Sequence, residues 1–259
     1  MNLDLFGDGP DGPGREKRIE PQRQQRQQRR QRLATAGSER KEQSGTSDGA
    51  GSGSSMGTAT LVAIYADESC LGNGREGDNP GGAGGMVEML DEPGGELRRF
   101  DYWVSESATT NNRMALRSVI EAFGELSKMP GPFRVVFTSD SRYIVDGMRS
   151  WVAGWIRRGW RRQGGAIENL ALWKAAVTAV GPHECQWNWV RGHNGQPQNE
   201  YANHLATRAA AEQSNSEGLR PSEFDSWLAE WRTSKNGSRE MAPFPEPGTF
   251  TPSPRAWTI

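Results

Sequence analysis

Apolar residues in the middle of the chain recur with two periods, one typical of strands and the other of helices. Apolar runs at 60–66 and 133–138 predict two buried strands. Between them, "GGMVEML" and "ELRRFDYWV" predict two further strands, which the turn "DEPGG" joins. The stretch "RMALRSVIEAF" then has its apolar residues at helical spacing, so an amphipathic helix follows the third strand.

The second half of this region continues with alternating helices and strands. Helical patterns at 141–158 and in "IENLALWKAAVTAV" are followed by a fifth strand, "ECQWNWV", and a final helix, "QPQNEYANHLATRAAAEQ". Three strands joined by turns, and then alternating helices and strands, are typical of an α/β fold. We therefore predict a five-stranded mixed sheet whose first three strands are antiparallel.

Only part of the chain has this pattern. Residues 1–58 form a polar and basic arm that lacks apolar periodicity, so we predict that it is disordered. Residues 59–213 form the folded domain, and residues 214–259 form a mostly disordered tail. Within the tail, a short amphipathic helix is predicted near 221–234. Its aromatic residues Phe224, Trp227 and Trp231 lie at helical spacing and dock on the domain or on an unknown partner.

Charge and cysteine content narrow the class of protein only slightly. The 259 residues carry a formal net charge of −1, so net charge does not indicate a partner. The arm is locally basic, with ten Arg and Lys against four Glu between residues 15 and 42. The two cysteines have no metal-binding spacing, and the pattern contains no signal peptide or membrane span. We expect a cytoplasmic protein that does not enter a membrane.

Two aspartates follow predicted strands. Asp67 comes directly after the first strand and Asp140 after the fourth. If these strands are parallel neighbours, both carboxylates lie at one edge of the sheet, where a hard divalent cation such as Mg²⁺ or Mn²⁺ relieves their repulsion. Each aspartate taken alone is better explained as a turn residue or a helix cap, and only the pair at corresponding strand ends indicates a metal site.

A basic run with interleaved tryptophans is the second candidate for chemistry. Its arginines neutralise phosphates and its indoles offer flat faces for bases. A solvated helix end with inward-facing tryptophans, or an acidic protein partner, explains the same pattern. The candidate nucleic-acid contacts in this run are Trp151, Trp155, Arg157, Arg158, Trp160 and Arg161.

These features, in this order, resemble type 1 bacterial ribonuclease H. The motifs that carry the resemblance are "YADESCLGN", "TTNNRM", "FTSDSRYIVDGM", "WVAGWIRRGW" and "WNWVRGHNGQPQNEYANHLA", and together they span about residues 61–210. The resemblance implies a ribonuclease H-like α/β fold with helices on both faces of the sheet. It also implies metal-dependent hydrolysis of the RNA strand of RNA/DNA hybrids, in primer or R-loop removal.

The resemblance is incomplete at the metal site. The family holds two metal ions with four carboxylates, and Asp67 and Asp140 match two of them. The third position is Ala115, and the fourth is Asn203, which would be a neutral ligand. Glu68 is a further candidate ligand, although neighbouring strand residues point to opposite faces, except where alternation lapses at a strand end.

Other roles are also implied by the resemblance. His193 matches a mobile histidine that assists proton transfer or product release. The polar residues Asn73, Thr110, Asn111 and Asn112 match positions that contact the sugar and phosphate of the hybrid.

Two functions fit the sequence. The first is a ribonuclease H, weak or Mn²⁺-dependent, and the alternative is a hybrid-binding protein that has lost cleavage because Ala115 and Asn203 replace carboxylates. Residues 2–6 resemble the peptide with which bacterial proteins bind the sliding clamp, through Leu3, Leu5 and Phe6. A monomer is expected.

Overall fold

Six strands form one mixed sheet in the computed structural model, which describes residues 59–72, 79–92, 94–233 and 240–254. The strands are β1 (Leu61–Cys70), β2 (Gly81–Leu90), β3 (Leu97–Glu106), β4 (Arg134–Ser139), β5 (Glu184–Trp189) and β6 (Arg220–Pro221). Their order across the sheet is β5-β4-β1-β2-β3-β6.

The pairing follows the prediction closely. Strands β1, β2 and β3 are antiparallel neighbours, while β4 runs parallel to β1 and β5 runs parallel to β4. The mixed α/β sheet and its antiparallel first half are therefore confirmed. The sixth strand is an addition of two residues from the tail, and it pairs with Phe100 and Asp101 of β3.

Helices cover both faces of the sheet. They are α1 (Asn111–Leu126), α2 (Arg142–Asp146), α3 (Val152–Arg157), α4 (Leu170–Val180), α5 (Pro197–Glu212) and α6 (Phe224–Trp231), with a π-helix, Gly147–Trp151, between α2 and α3. On one face, α1 and α4 bury a large apolar core that includes Phe123 and Trp173. On the other face, α5 and α6 pack Tyr201 and Phe224 against Tyr65 of β1.

The tail beyond residue 213 is more ordered than the sequence predicts. Ser216 and Arg220 bring the chain to the β3 edge, where the backbone N–H of Ser216 donates to Trp103. The predicted amphipathic helix is present as α6, and Phe224 at its start is fully buried. The prediction of a mostly disordered tail is thus wrong for residues 214–233, because their aromatic side chains find an open apolar face.

A second part of the tail, residues 240–254, crosses the ends of β4, β5 and α5. The side-chain amide of Gln198 donates to the carbonyl of Ala242 at 2.8 Å and accepts from its N–H at 3.1 Å. Thr251 N–H donates to Gln186, and Ser253 N–H donates to the carbonyl of Cys185. We call residues 240–254 the strap.

Asp101 fixes the first part of the tail to the sheet, and its removal is expected to destabilise the protein. This buried carboxylate accepts hydrogen bonds from Tyr201 at 2.5 Å, Ser222 at 2.6 Å and Glu223 N–H at 3.1 Å. Asp101→Ala leaves those donors without an acceptor, so the free energy of unfolding should fall by about 2–3 kcal/mol in urea titrations.

The matched control for this prediction is Asp91→Ala. Asp91 pairs with Arg98 at 3.2 Å, but both side chains are about half exposed. An exposed pair contributes less than about 1 kcal/mol. Equal losses for the two variants would contradict the assigned role of Asp101.

None of the helices in the described part of the chain is long and apolar enough to cross a membrane. The candidate clamp-binding residues Leu3, Leu5 and Phe6 lie outside the described residues, as does Asn73.

Candidate active site

The sheet leaves a gap at the carboxyl end of β4. Strand β4 pairs with β1 as far as Ser139 opposite Ala66, whereas β1 continues to Cys70 along β2. The last residues of β1 therefore have no paired neighbour on the β4 side. Asp67 and Asp140 flank this gap, one residue beyond the last pair, as the parallel-neighbour prediction requires.

Glu68 joins the two aspartates at the gap. Carboxylate oxygens of Asp67, Glu68 and Asp140 all lie within 4.8 Å of one another. Among the described residues, these three form the group of acidic, histidine or cysteine side chains close enough to hold a metal ion. We call them the acidic cluster.

The alternation of side chains between the two faces of β1 does not keep Glu68 away from the two aspartates. Asp67 lies opposite Gly84, on the face that α5 covers, and Glu68 lies opposite Ala83, which packs against Met114 of α1. The two side chains thus leave the strand on opposite faces, and both reach the gap because no partner strand separates them there. Glu68, which the sequence offers as a further candidate ligand, therefore lies in the acidic cluster at the end of β1.

The acidic cluster is electrostatically strained. Burial, together with the charges of Asp140 and Glu68, raises the pKa of Asp67 to about 9. Burial and the charge of Asp140 raise the pKa of Glu68 to about 8, against a hydrogen bond with Ser141 that lowers it. Burial also raises the pKa of Asp140. Three crowded carboxylates with raised pKa values suit a hard divalent cation, whose charge replaces the protons.

This strain predicts a pH-dependent response to metal. The ordinary pKa values are 3.8 for Asp67 and 4.5 for Glu68, and in the folded metal-free protein they rise to about 9 and about 8. At pH values between the ordinary and the raised pKa, the folded metal-free state therefore binds more protons than the unfolded state. The cluster's contribution to stability therefore falls as pH rises through this window. Mg²⁺ or Mn²⁺ should stabilise the protein more at pH 9 than at pH 6, where protons compete for the same oxygens.

The measurement is thermal unfolding with EDTA and with metal across pH 6–9. At a metal concentration of about 100 times Kd, the stabilisation should be about 2–3 kcal/mol at high pH. The variant Asp67→Asn, which keeps the shape but removes one charge, serves as the control and should lose most of the pH dependence. Metal stabilisation that is constant over this range would contradict the raised pKa values.

Ala115 and Asn203 occupy different environments. Ala115 is 2% exposed and belongs to the apolar core beneath α1. Asn203 is partly buried on α5. This helix lies close to the sheet at Gly84, because a Cβ atom there would clash with Leu205 and Ala206. One turn before Asn203, Asn199 has a buried Oδ1 with no hydrogen-bond partner among the residues that the structure describes, a feature that the sequence pattern did not reveal.

The loop between β5 and α5 lies against Asp140. A Cβ atom on Gly192 would collide with Oδ2 of Asp140, so this loop approaches the carboxylate through its backbone. His193, which follows, is exposed at φ 50°, and its charge lowers the pKa of Asp140. The predicted histidine therefore lies within electrostatic range of the acidic cluster.

The polar residues at the start of α1 have different hydrogen-bonding roles. Thr110 caps the helix by accepting from Arg113 N–H at 3.4 Å, and the hydroxyl of Thr109 donates to Glu106. Asn111 has a buried Oδ1 without a hydrogen-bond partner within the described ranges. Asn112 is partly buried beside it. Capping thus uses one residue of the group and leaves an acceptor of Asn111 available.

The basic run spans the last residue of the π-helix, all of α3 and the turn after it. Arg157, Arg158 and Arg161 are exposed, and Trp151 is 39% exposed. Trp160 is half-buried at φ 60°, with the ammonium of Lys174 5.7 Å from its ring centroid.

Trp155 does not belong to this exposed group. It is only 8% exposed and packs edge-on against Trp173, with ring centroids 5.4 Å apart. The prediction that Trp155 contacts nucleic acid is therefore wrong, because helical phase turns this residue into the core.

Comparison with known proteins identifies relatives of the domain. The family model described as RNase H matches residues 59–211. A ribonuclease H of Novosphingobium aromaticivorans is 39% identical over 150 residues, which cover 58% of this chain and 96% of that protein. A ribonuclease H of Cupriavidus metallidurans is 42% identical over 151 residues, with coverage of 58% and 95%.

A solved structure is more similar still. LC9-RNase H1, described as a type 1 RNase H with the type 2 active-site motif, is 60% identical and aligns with a TM-score of 0.71. The alignment covers 75% of this chain and 92% of that one. It therefore extends beyond the family-model match.

Proposed function

Because the chain belongs to the ribonuclease H family of hydrolytic endonucleases, we propose that its acidic cluster is the metal site with which it cleaves the RNA strand of RNA/DNA hybrids. The observation that carries this proposal is the approach of Asp67, Glu68 and Asp140 to within 4.8 Å. Three carboxylates, rather than the two that the family motifs alone supply, hold the cation.

Glu68 compensates for Ala115. The family places its third carboxylate on the helix corresponding to α1, where this chain has the small Ala115. Glu68 leaves β1 on the same face, as its register partner Ala83 packs on Met114 of α1. A carboxylate on the strand thereby supplies the negative charge that the helix lacks. Asn203 adds an uncharged amide oxygen from α5.

Each residue then has a defined task. Asp67, Glu68 and Asp140 would hold Mg²⁺ or Mn²⁺, which would supply activation of water and stabilisation of the leaving oxygen. His193 follows Gly192 in the loop beside Asp140 and assists proton transfer or product release. Gly192 permits the close approach of this loop to Asp140.

Recognition of the hybrid rests on two surfaces. At the start of α1, the unpartnered Oδ1 of Asn111 accepts a hydrogen bond from a 2′-hydroxyl, which distinguishes RNA from DNA. Thr110 and Asn112 complete this polar surface. Asn73, which lies outside the described residues, is proposed from the sequence to contact the hybrid as well. On the basic run, the exposed Arg157, Arg158 and Arg161 bind phosphates, and Trp151 and Trp160 support them.

The hybrid-binding alternative is not favoured. It depended on the loss of two carboxylates, and Glu68 restores one of them to the cluster. Asp67, Asp140 and the loop with His193 all converge on the same gap, which binding alone does not require.

Cleavage of a labelled RNA/DNA hybrid tests the proposal. The full chain should cut the RNA strand with Mg²⁺ or Mn²⁺ and stop when EDTA is added. Asp67→Asn should lose cleavage while still binding the hybrid. Tight binding without cleavage in either metal would instead support the alternative.

The cellular setting is a proposal from the sequence. We place the enzyme in the cytoplasm as a monomer that removes RNA primers or R-loops. Leu3, Leu5 and Phe6 would bind the sliding clamp and tether the domain through the arm. Retention on immobilised clamp by the full chain, but not by a chain lacking residues 2–6, tests this tether, and light scattering tests the monomer.

A further inference from the structure

A cavity of about 550 Å³ lies on the face of the sheet that α5 covers. Its floor is formed by residues of β1, β4 and β5, including Tyr65 and Thr138. One wall comes from α2 and the π-helix, and the opposite wall from the strap at Pro243 and Pro245. We call it the strap cavity.

The strap cavity is close to the candidate metal ligands. The indole N–H of Trp189, which lines it, donates to the backbone carbonyl of Asp140 at 2.9 Å. Tyr65, on its floor, precedes Asp67 by two residues on the same face of β1. A ligand in the cavity would therefore lie beside the cleavage site, away from the polar start of α1 on the other face.

Two guanidinium groups give the cavity its charge. Arg142 and Arg149 both line it, and Asp146 is the acidic residue among its walls. Arg142 reaches Asp146 only at 3.9 Å and stacks on Trp189, 3.9 Å from the ring centroid. Arg149 makes no ion pair with any residue that the structure describes. Two guanidinium groups that line the same cavity suit a phosphate.

The cavity also contains an unused hydrogen-bond acceptor. Oε1 of Gln196, in the cavity wall, is buried and has no hydrogen-bond partner in the described part of the chain. A buried acceptor requires a donor. A ribose hydroxyl or a base amino group supplies one.

The volume of the cavity limits the size of the ligand that it can bind. Volumes of about 300–1,000 Å³ accept small molecules of the size of a nucleotide. This volume therefore suits one unpaired nucleotide.

We propose that the strap cavity binds an unpaired nucleotide at the end of the hybrid, with its phosphate between Arg142 and Arg149 and its sugar or base donating to Gln196. This proposal rests on the proposed function, because it places the nucleotide next to the cleaved strand. The same nucleoside phosphate chemistry occurs in a single-stranded overhang of the substrate and in a free nucleotide.

The experiment compares hybrids with and without overhangs. Binding is measured by fluorescence anisotropy in the Asp67→Asn background, which prevents cutting, with a blunt hybrid and with hybrids carrying a short RNA overhang at either end. One of the overhangs should tighten binding about fivefold or more. Arg142→Ala with Arg149→Ala should remove this gain and reduce the salt slope by up to about 2, while blunt binding changes less than twofold.

Two matched variants control for charge. Arg157→Ala with Arg158→Ala removes the same charge from the basic run, and should weaken blunt and overhang binding alike. Arg98→Ala removes an exposed arginine that pairs with Asp91 on β3 and should change neither. Thermal unfolding confirms that each variant folds. If the double alanine variant does not fold, the test is repeated with Arg142→Gln and Arg149→Gln.

The outcomes separate the proposals. No gain from either overhang, or equal losses of blunt and overhang binding in the Arg142 and Arg149 variant, overturns the strap-cavity site. A nucleoside monophosphate at millimolar concentration is then added as a competitor. If it removes only the gain in affinity from the overhang, the site also accepts free nucleotides. If it does not compete, the site is restricted to overhangs. Metal-dependent cleavage of the blunt hybrid by the unaltered chain tests the proposed function separately.

Discussion

Glu68→Ala is expected to lower the rate of hybrid cleavage at least about 100-fold, as loss of a charged group at a metal centre removes several kcal/mol of stabilisation. The structure brings this side chain within 4.8 Å of both Asp67 and Asp140. Its loss leaves only two carboxylates for the cation. Initial cleavage rates, titrated with Mg²⁺ and separately with Mn²⁺, measure both the affinity for metal and the maximal rate.

A charge exchange provides the control for this prediction. The double variant Glu68→Ala, Ala115→Glu moves the carboxylate from β1 to position 115 of α1. Both positions lie on the same face of the sheet, so the double variant should regain at least about tenfold of the lost rate. Wild-type cleavage by Glu68→Ala in both metals would show that Glu68 is not a ligand.

Gly192→Ala is expected to reduce kcat about 10- to 100-fold with little change in the affinity for the hybrid. The added methyl group would overlap Oδ2 of Asp140, so either the loop or the carboxylate must move. A displacement of a catalytic group by about 1 Å is enough for a loss of this size. Steady-state kinetics separate kcat from KM, and the metal titration should show weaker binding.

Gly124→Ala is the matched control for that substitution. Gly124 lies on α1, and a Cβ atom there meets nothing within 4 Å. Alanine is the better helix former, so this variant should gain about 0.8–1 kcal/mol of stability and keep full activity. If Gly192→Ala behaved in the same way, close packing of the loop on Asp140 would not matter for catalysis.

The sheet and the two strand-end aspartates could be predicted because their signals are local. Apolar runs and turn residues mark β1 to β5, and Asp67 and Asp140 follow two of those strands directly. The place of Glu68 could not be predicted in the same way. It depends on β4 ending one residue before Asp140, which removes the neighbour that would otherwise separate the two faces of β1.

The errors elsewhere also arise from tertiary contacts. Trp155 and Trp151 are equivalent in the sequence pattern, but only Trp155 faces Trp173 and becomes buried. The tail is polar on average, and its order rests on a few long-range contacts, such as Asp101 with Ser222 and Gln198 with Ala242. A pattern confined to neighbouring residues does not contain these pairs.

The strap has a consequence for how the protein behaves at high concentration. Strand β5 is the last strand on its side of the sheet, and an outer strand with free peptide groups recruits strands from other molecules. The backbone N–H of Ser253 donates a hydrogen bond to the carbonyl of Cys185, and the N–H of Thr251 donates to the side-chain oxygen of Gln186. A chain that ends before residue 240 would leave this edge uncovered, and we expect it to self-associate into β-rich aggregates at concentrations where the full chain stays dispersed.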